Sequence, residues 1–273
     1  MVAPKTYSSY QQTVNKQLLP LFAKRELQDI NRDDVFLLHK SLSHLSNTSI
    51  AYAQKVLSQI MKHAAINNKI PANPIATVKP PRKNPPHTPQ YDGKDLRKLL
   101  DAVPEPVYTL ILLAYTTGLR RGEINALTWN NVDFRNRVIR VVGSTGEFGA
   151  GPTKNGKCRT VYMGREIFEQ LLNAANQKGL VIDRCKDAFW ATKAFRYWAD
   201  KCGMTGFRLH DLRHLHATEL LEQGVHPKIV QERLGHSTIN TTLDIYSHAT
   251  IGLQAKEIEK LDMPEPKIIE RTE

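Results

Sequence analysis

The chain has 273 residues, 41% of them apolar, with 38 lysines and arginines against 27 aspartates and glutamates and a formal charge of +11. That apolar fraction excludes wholesale disorder, and no run of about 18 apolar residues is available for a membrane-spanning helix. Three widely spaced cysteines (Cys158, Cys185, Cys202) indicate neither a disulfide framework nor a cysteine zinc cluster, and Met1 to Tyr10 lacks the apolar core of a signal peptide. The chain thus reads as a soluble protein of a reducing compartment, with one or two domains.

Charge divides it unevenly. Residues 1–90 hold 12 basic and 4 acidic residues, net +8, while residues 91–273 are net +3. A basic module of this kind suits a nucleic acid or an anionic surface. In chain order, Tyr7, Tyr10, Val14, Leu18 and Leu21 recur at helical spacing. Asn31 is placed to cap a helix with Asp34 at its third position, and Ile50 to Ala64 marks a longer helix. Residues 6–70 therefore read as a small all-helical bundle. Seven prolines between Pro71 and Pro89, interspersed with Lys79, Arg82 and Lys83, then read as an extended basic linker, because proline fixes φ and removes a donor.

Beyond it, helices are predicted over 93–102, 105–117, 121–128, 165–177, 192–202, 210–223, 227–234 and 238–247. The only clear strands lie between Val132 and Met163: one over Val138 to Val142 and another over Arg159 to Met163. Gly143 to Gly151 reads as a glycine-rich loop and Lys154 to Lys157 as a hairpin-type turn. The fold class is mainly α with a small antiparallel β-sheet.

Four segments carry residues able to do chemistry. Arg120 lies at a junction where an apolar helix ends at Gly118 and another begins, a place that favours an anion; taken alone, an Arg120–Glu123 pair stitching the turn is the plainer reading. Lys154 sits at a turn tip, usually just a solvated position. His210 and Arg213 share a helix face, and His210 and His214 have zinc-compatible spacing without the companion ligands of a zinc site. His236 follows Leu234-Gly235, and ten residues later comes Tyr246, a residue more often packed than nucleophilic.

Singly these are weak signals; in this order and spacing they are specific. The segments TTGLRRGEINALTW, TKNGKCRTV, FRLHDLRHLHAT and LGHSTINTTLDIYSH closely resemble the tyrosine recombinase (phage integrase) family over essentially all of 91–248. Departures are small: Leu215 stands where many members have Thr, Asn131 where Asp is common, and residues 143–151 make a longer loop than many relatives carry. The resemblance implies a helical, SAM-like core-binding domain (1–78), a linker (79–90), an α+β catalytic domain (91–250) and a tail (251–273) able to dock on a neighbouring protomer. A separate N-terminal arm-binding domain, present in many phage integrases, is not expected within these residues: either the enzyme is a simple recombinase or the sequence is part of a longer chain.

The resemblance also implies metal-free transesterification with no cofactor. Tyr246 attacks the scissile phosphate to form a 3′-phosphotyrosyl link; Arg120 and Arg213 grip the non-bridging oxygens, and His236 adds a donor. His210 is the general-base candidate, and Lys154 protonates the leaving 5′-oxygen. A phenol of pKa about 10 is only about 0.1% ionised at pH 7, a deficit of roughly 4 kcal/mol that a base and nearby cations must meet. Lys79, Arg82, Lys83, Arg121 and Lys157 are the further DNA-contact candidates. The implied partners are double-stranded DNA, three further copies of the chain in a tetramer, and accessory bending or directionality factors, in the cytoplasm of a bacterial or phage-infected cell, with no membrane. The expected form is a C-shaped clamp on DNA. The rival readings are a type IB topoisomerase-like enzyme and a non-catalytic architectural DNA-binding protein.

Overall fold

The computed structural model describes Val2 and residues 4–82, 91–147, 149–153, 156–174 and 178–243. Contacts divide the chain into two units, Met1–Thr88 and Pro89–Glu273. Among the described residues no helix is long and apolar enough to cross a membrane.

The first unit is helical. Helix α1 (Pro4–Thr13) runs through a π-helical stretch (Val14–Leu18) into the short α2 (Leu19–Phe22). The π stretch immediately precedes Pro20, which has no N–H to give and whose ring crowds the carbonyl four residues back. Leu19 there donates to the Val14 carbonyl, five residues back. Helix α3 (Arg32–Ser41) opens on the capping box read from the sequence: the Asn31 side chain accepts from the Asp33 amide at 2.8 Å and Asp34 accepts from the Asn31 amide at 2.9 Å. The buried Asp34 carboxylate also takes both arms of Arg25. Helix α4 (Asn47–Ile66), capped by Ser46, lays Ala53, Val56, Leu57 and Met61 against Val35 and Leu38.

The proline-rich stretch departs from a free linker in its first half. Ile75 is 1% exposed in the core of this unit, Gln54 donates to the Val78 carbonyl and Asn47 to the Arg82 carbonyl. Asn73 and Arg32 add bonds to the Ser58 carbonyl and the Thr77 hydroxyl, so side chains hold a segment that cannot make its own ladder. Lys79 and Arg82 are exposed, and Lys83 lies outside the described residues.

In the second unit, α5 (Gly93–Ala102) starts on an Asp92 capping box. Helix α6 (Val107–Thr117) is apolar on nearly every side and is correspondingly central, packing on neighbouring helices all round. Helix α7 (Arg121–Asn125) is shorter than the periodicity predicts. Residues 127–129 instead bridge to 179–181: the Trp129 amide donates to the Gly179 carbonyl and the Val181 amide to the Leu127 carbonyl, which buries Leu127 and Trp129.

Strands β1 (Val132–Asp133) and β2 (Val138–Val141) pair antiparallel. Strands β3 (Ser144–Gly146) and β4 (Gly149–Gly151) then form a separate hairpin, with Ser144 opposite Gly151, where the sequence suggests a loop. Glycine lacks β-propensity, yet backbone pairing needs no side chain, and Gly122 of α7 lets the hairpin approach: a Cβ there would stand 3.1 Å from the Thr145 carbonyl oxygen. Strand β5 (Arg159–Tyr162) pairs back onto β2, with Ile139 and Val161 in register and buried. Helices α8 (Arg165–Asn173), α9 (Trp190–Lys201), α10 (Leu209–Glu222) and α11 (Pro227–Leu234) complete the unit. Residues 240–243 are helical, so the predicted 238–247 helix begins two residues late, after a bend at Thr238 and a turn at Ile239; residues 244–247 lie outside the described residues.

Replacing Asp34 removes a cap acceptor and strands the fork of Arg25. Asp34→Ala is expected to cost about 2 kcal/mol. A urea unfolding midpoint unchanged from the parent would contradict that role.

Candidate active site

The site is built where the C-termini of α6 and α11 meet. Each helix ends at a glycine with positive φ, Gly118 at 65° and Gly235 at 67°, so each turns away sharply and leaves its last carbonyls without helical partners. Arginines from four elements take up those carbonyls. Arg213, on α10, donates to the carbonyls of Gly118 and, at 2.7 Å, Leu234. Arg120, at the start of α7, donates to the Gly235 carbonyl at 2.8 Å. Arg159, on β5, donates to the Arg233 carbonyl, and Arg233 itself to those of Thr116 and Tyr162. The negative end of a helix dipole favours each of these cations, on the order of 1 kcal/mol apiece.

Opposite this cluster of guanidinium groups stands one buried carboxylate, Glu123, 3% exposed. Burial by itself would raise its pKa, but hydrogen bonds and charge from Arg159, with the Arg120 amide and guanidinium, hold it below the usual carboxylate range. The Arg120–Glu123 pair that the segment suggests is present, at 2.9 Å, and Arg120 serves a wider cluster as well. Burial, followed by the nearby Arg120 charge, pushes Arg213 down to about 9, so it stays protonated at neutral pH.

The histidines are held neutral. His236 is pushed down to about 3 by burial and then by Arg213 and Arg120. Its Nδ1 lies 2.9 Å from the hydroxyl of the buried Thr242. With that hydroxyl donating, the tautomer carries its proton on Nε2, leaving a donor there. His210 is lowered by the protein packed around it, then by His214 and Arg213, although its ring is partly open to solvent; it meets His214 edge-on at 4.8 Å. His216, 7% exposed, accepts from Arg233 at 2.9 Å. Gly118 is obligatory beside it, since a Cβ there would lie 2.8 Å from the His216 ring.

Of the residues the sequence singles out, Arg120, Arg213 and His236 come together directly, with His214 close enough to lower both His236 and His210. A cleft of about 690 Å³ is lined by Arg120, Lys157, Arg159 and His236 among others. His210 and Arg121 instead border a neighbouring cleft of about 800 Å³, where Arg121 reaches the Thr192 hydroxyl and stacks on Phe189. Lys154 and Tyr246 lie outside the described residues. Among the described residues no group of three or more histidines, cysteines or acidic residues is arranged to hold a metal ion. Sequence reasoning missed Arg159, Arg233, His216 and Thr242. The only signal for Arg159 was its place two residues after the turn, within the TKNGKCRTV segment.

The catalytic-domain fold of tyrosine recombinases is the frame on which this arginine cluster sits. Over 95% of both chains it matches the Tn1549 transposon integrase in complex with circular intermediate DNA (TM-score 0.76, 22% identity). It likewise matches a lambda integrase dimer bound to a core site (TM-score 0.75, 15% identity, 90% of this chain and 89% of that one). Among curated proteins, the ICEBs1 integrase of Bacillus subtilis is 27% identical, covering 95% of this chain and 78% of that protein. Tyrosine recombinase XerC of Actinobacillus succinogenes is 26% identical, covering 90% and 87%. The phage integrase family model matches residues 90–251, well over half of the chain, and the chain belongs to that family. It is a tyrosine-type site-specific recombinase, an enzyme that breaks and rejoins DNA strands.

A histidine buried neutral stabilises the fold above its unfolded pKa of about 6.5 and loses that contribution as pH falls toward its lowered folded value. His216, pushed down to about 3, titrates across that window. Urea midpoints of the parent should fall steadily from pH 6.5 to 4.5. They should fall less steeply in His216→Gln, whose amide can still accept from Arg233; equal slopes would remove His216 from the linkage.

Proposed function

We propose that this recombinase cleaves DNA through Tyr246 without a metal ion, and that Arg120, Arg213 and His236 receive the scissile phosphate. The observation that carries this reading is the convergence of those three side chains at one corner, where the arginines bind the Glu123 carboxylate and helix-end carbonyls. A phosphodiester brings one negative charge, and its five-coordinate transition state develops a second. Fixed cations in a partly buried cleft stabilise that change without reorganising. Each arginine spends two guanidinium nitrogens on protein acceptors, and an arginine has five N–H donors, so donors remain for phosphate oxygens. The His236 Nε2–H adds one more.

In the cleavage step the Tyr246 oxygen bonds to phosphorus as the bond to the 5′-oxygen breaks. His210, neutral at pH 7, takes the phenolic proton, and Lys154 gives one to the departing oxygen. Attack by a 5′-hydroxyl of the partner strand on the phosphotyrosine runs the same step backwards. The bond energy is retained in the link, so the cycle needs no nucleotide cofactor.

The lysine-rich helical unit would serve as the core-binding domain, residues 79–90 as the linker, and residues 251–273 as a tail docking on a neighbouring protomer. The net +8 charge of residues 1–90, unit and linker together, suits contacts to phosphates, which position without specifying. Lys79, Arg82, Lys83 and Lys157 are the contacts we assign to the backbone, and Arg121 to the DNA beside His210. The working assembly is a homotetramer on two DNA sites inside the cell; a lambda integrase tetramer bound to a Holliday junction is a precedent for the number of subunits.

On a nicked suicide substrate, Tyr246→Phe should lose the covalent protein–DNA adduct and keep its affinity for the site. An adduct surviving in that variant means that another residue is the nucleophile. Cleavage should proceed unchanged in excess chelator; inhibition would return a metal to the mechanism. Affinity should fall with salt at a log–log slope of about 0.9 per phosphate contacted, and a flat response would refute the backbone grip.

A further inference from the structure

Glu123 is shared unequally. Its Oε1 accepts from Arg120 Nη1 at 2.9 Å and from Arg159 Nη1 at 2.8 Å. Its Oε2 accepts from the Arg120 backbone amide at 2.8 Å and from Arg159 Nη2 at 2.7 Å. Arg159 thus holds the carboxylate with both arms of its fork, while Arg120 holds it with one arm and its amide. The other arm of Arg120 is thereby free to reach the Gly235 carbonyl and the cleft. The side chain of Arg159 is 10% exposed and that of Glu123 1%, so neither is a casual surface partner. Gly235 is part of the same fitting: a Cβ there would come within 3.0 Å of the Arg159 guanidinium.

A buried carboxylate strongly favours a bidentate guanidinium. Were Arg159 absent, the fork already bonded to the carboxylate would be that of Arg120. Both of its arms would then close on Glu123, withdrawing donors from the cleft. We propose that Arg159 is a positioning residue for strand cleavage: by occupying Glu123 with its own fork, it keeps the Arg120 guanidinium turned toward the scissile phosphate. This rests on the reading that Arg120 grips that phosphate. Arg159 also fixes the α11 cap from which His236 projects, through its bond to the Arg233 carbonyl.

The test is the single-turnover rate of covalent adduct formation on a nicked suicide substrate, with DNA affinity measured in parallel. Arg159→Gln should slow adduct formation about 100-fold, the cost of a misplaced catalytic group, and leave affinity within about twofold. The discriminating variant is Glu123→Gln combined with Arg159→Gln. With the charged trap removed, the double variant should cleave about 10-fold faster than Arg159→Gln alone. A residue that merely supports the fold would make the double variant slower still.

Arg159→Gln cleaving at the parent rate overturns the proposal. So does a double variant no faster than the single one, or a loss of DNA affinity that matches the loss of rate, which would make Arg159 a DNA contact. If Arg159→Gln does not fold, Arg159→Lys takes its place. It keeps the charge and loses the fork, and should cleave more slowly than the parent; a parent-like rate there overturns the proposal equally. Failure of the parent protein itself to form an adduct would count against the Tyr246 reading and not against Arg159.

Discussion

The catalytic unit depends on the meeting of two helix C-termini. An α-helix leaves its last four carbonyls without partners, and a helix that ends on a left-handed glycine exposes them abruptly. Here α6 and α11 bring such ends to one corner, and four arginines from four different elements satisfy them. The arrangement solves two problems together. The carbonyls gain donors that they need in a buried place, and the guanidinium groups gain fixed positions without being neutralised by carboxylates.

That second consequence bears on the chemistry. Had each arginine been balanced by an acid, the site would carry little net charge and hold little attraction for a phosphodiester. Glu123 is the buried acid that these arginines bind, and Arg120 and Arg159 divide it between them. Carbonyl dipoles supply the rest of the satisfaction. Burial first, and the surplus positive charge after it, lower both His236 and His210, so both stand neutral. A neutral imidazole can act as base or single donor, whereas a protonated one could not accept a phenolic proton.

Much of the fold was legible because the governing interactions are local. The Asn31–Asp34 capping box, the all-apolar α6 and the alternation in β2 and β5 are each contained within a few residues. The misreadings share a cause of the opposite kind. Helix α7 stops at Asn125 because residues 127–129 pair with a segment some fifty residues away. The glycine-rich stretch 143–151 becomes a hairpin lying against α7, and Ile75 draws a proline-rich segment into a core. Periodicity carries no information about a partner so distant in sequence.

The site divides along the same line. Arg120, His210, Arg213 and His236 stood out in the sequence because each lies in a short segment whose residue order is distinctive, and Lys154 and Tyr246 joined them by that order alone. Arg159, Arg233, His216 and Thr242 did not stand out, because an arginine on a short strand or a threonine after a helix has no local signature. Their roles arise from what they face: a carboxylate 36 positions back, a histidine 17 positions away, the carbonyls of two helix ends. Sequence alone determined which chemistry the protein carries, since that needs only the right groups in the right order. Tertiary structure decided how those groups are charged and aimed, because hydrogen-bond geometry and burial exist only once distant segments have met.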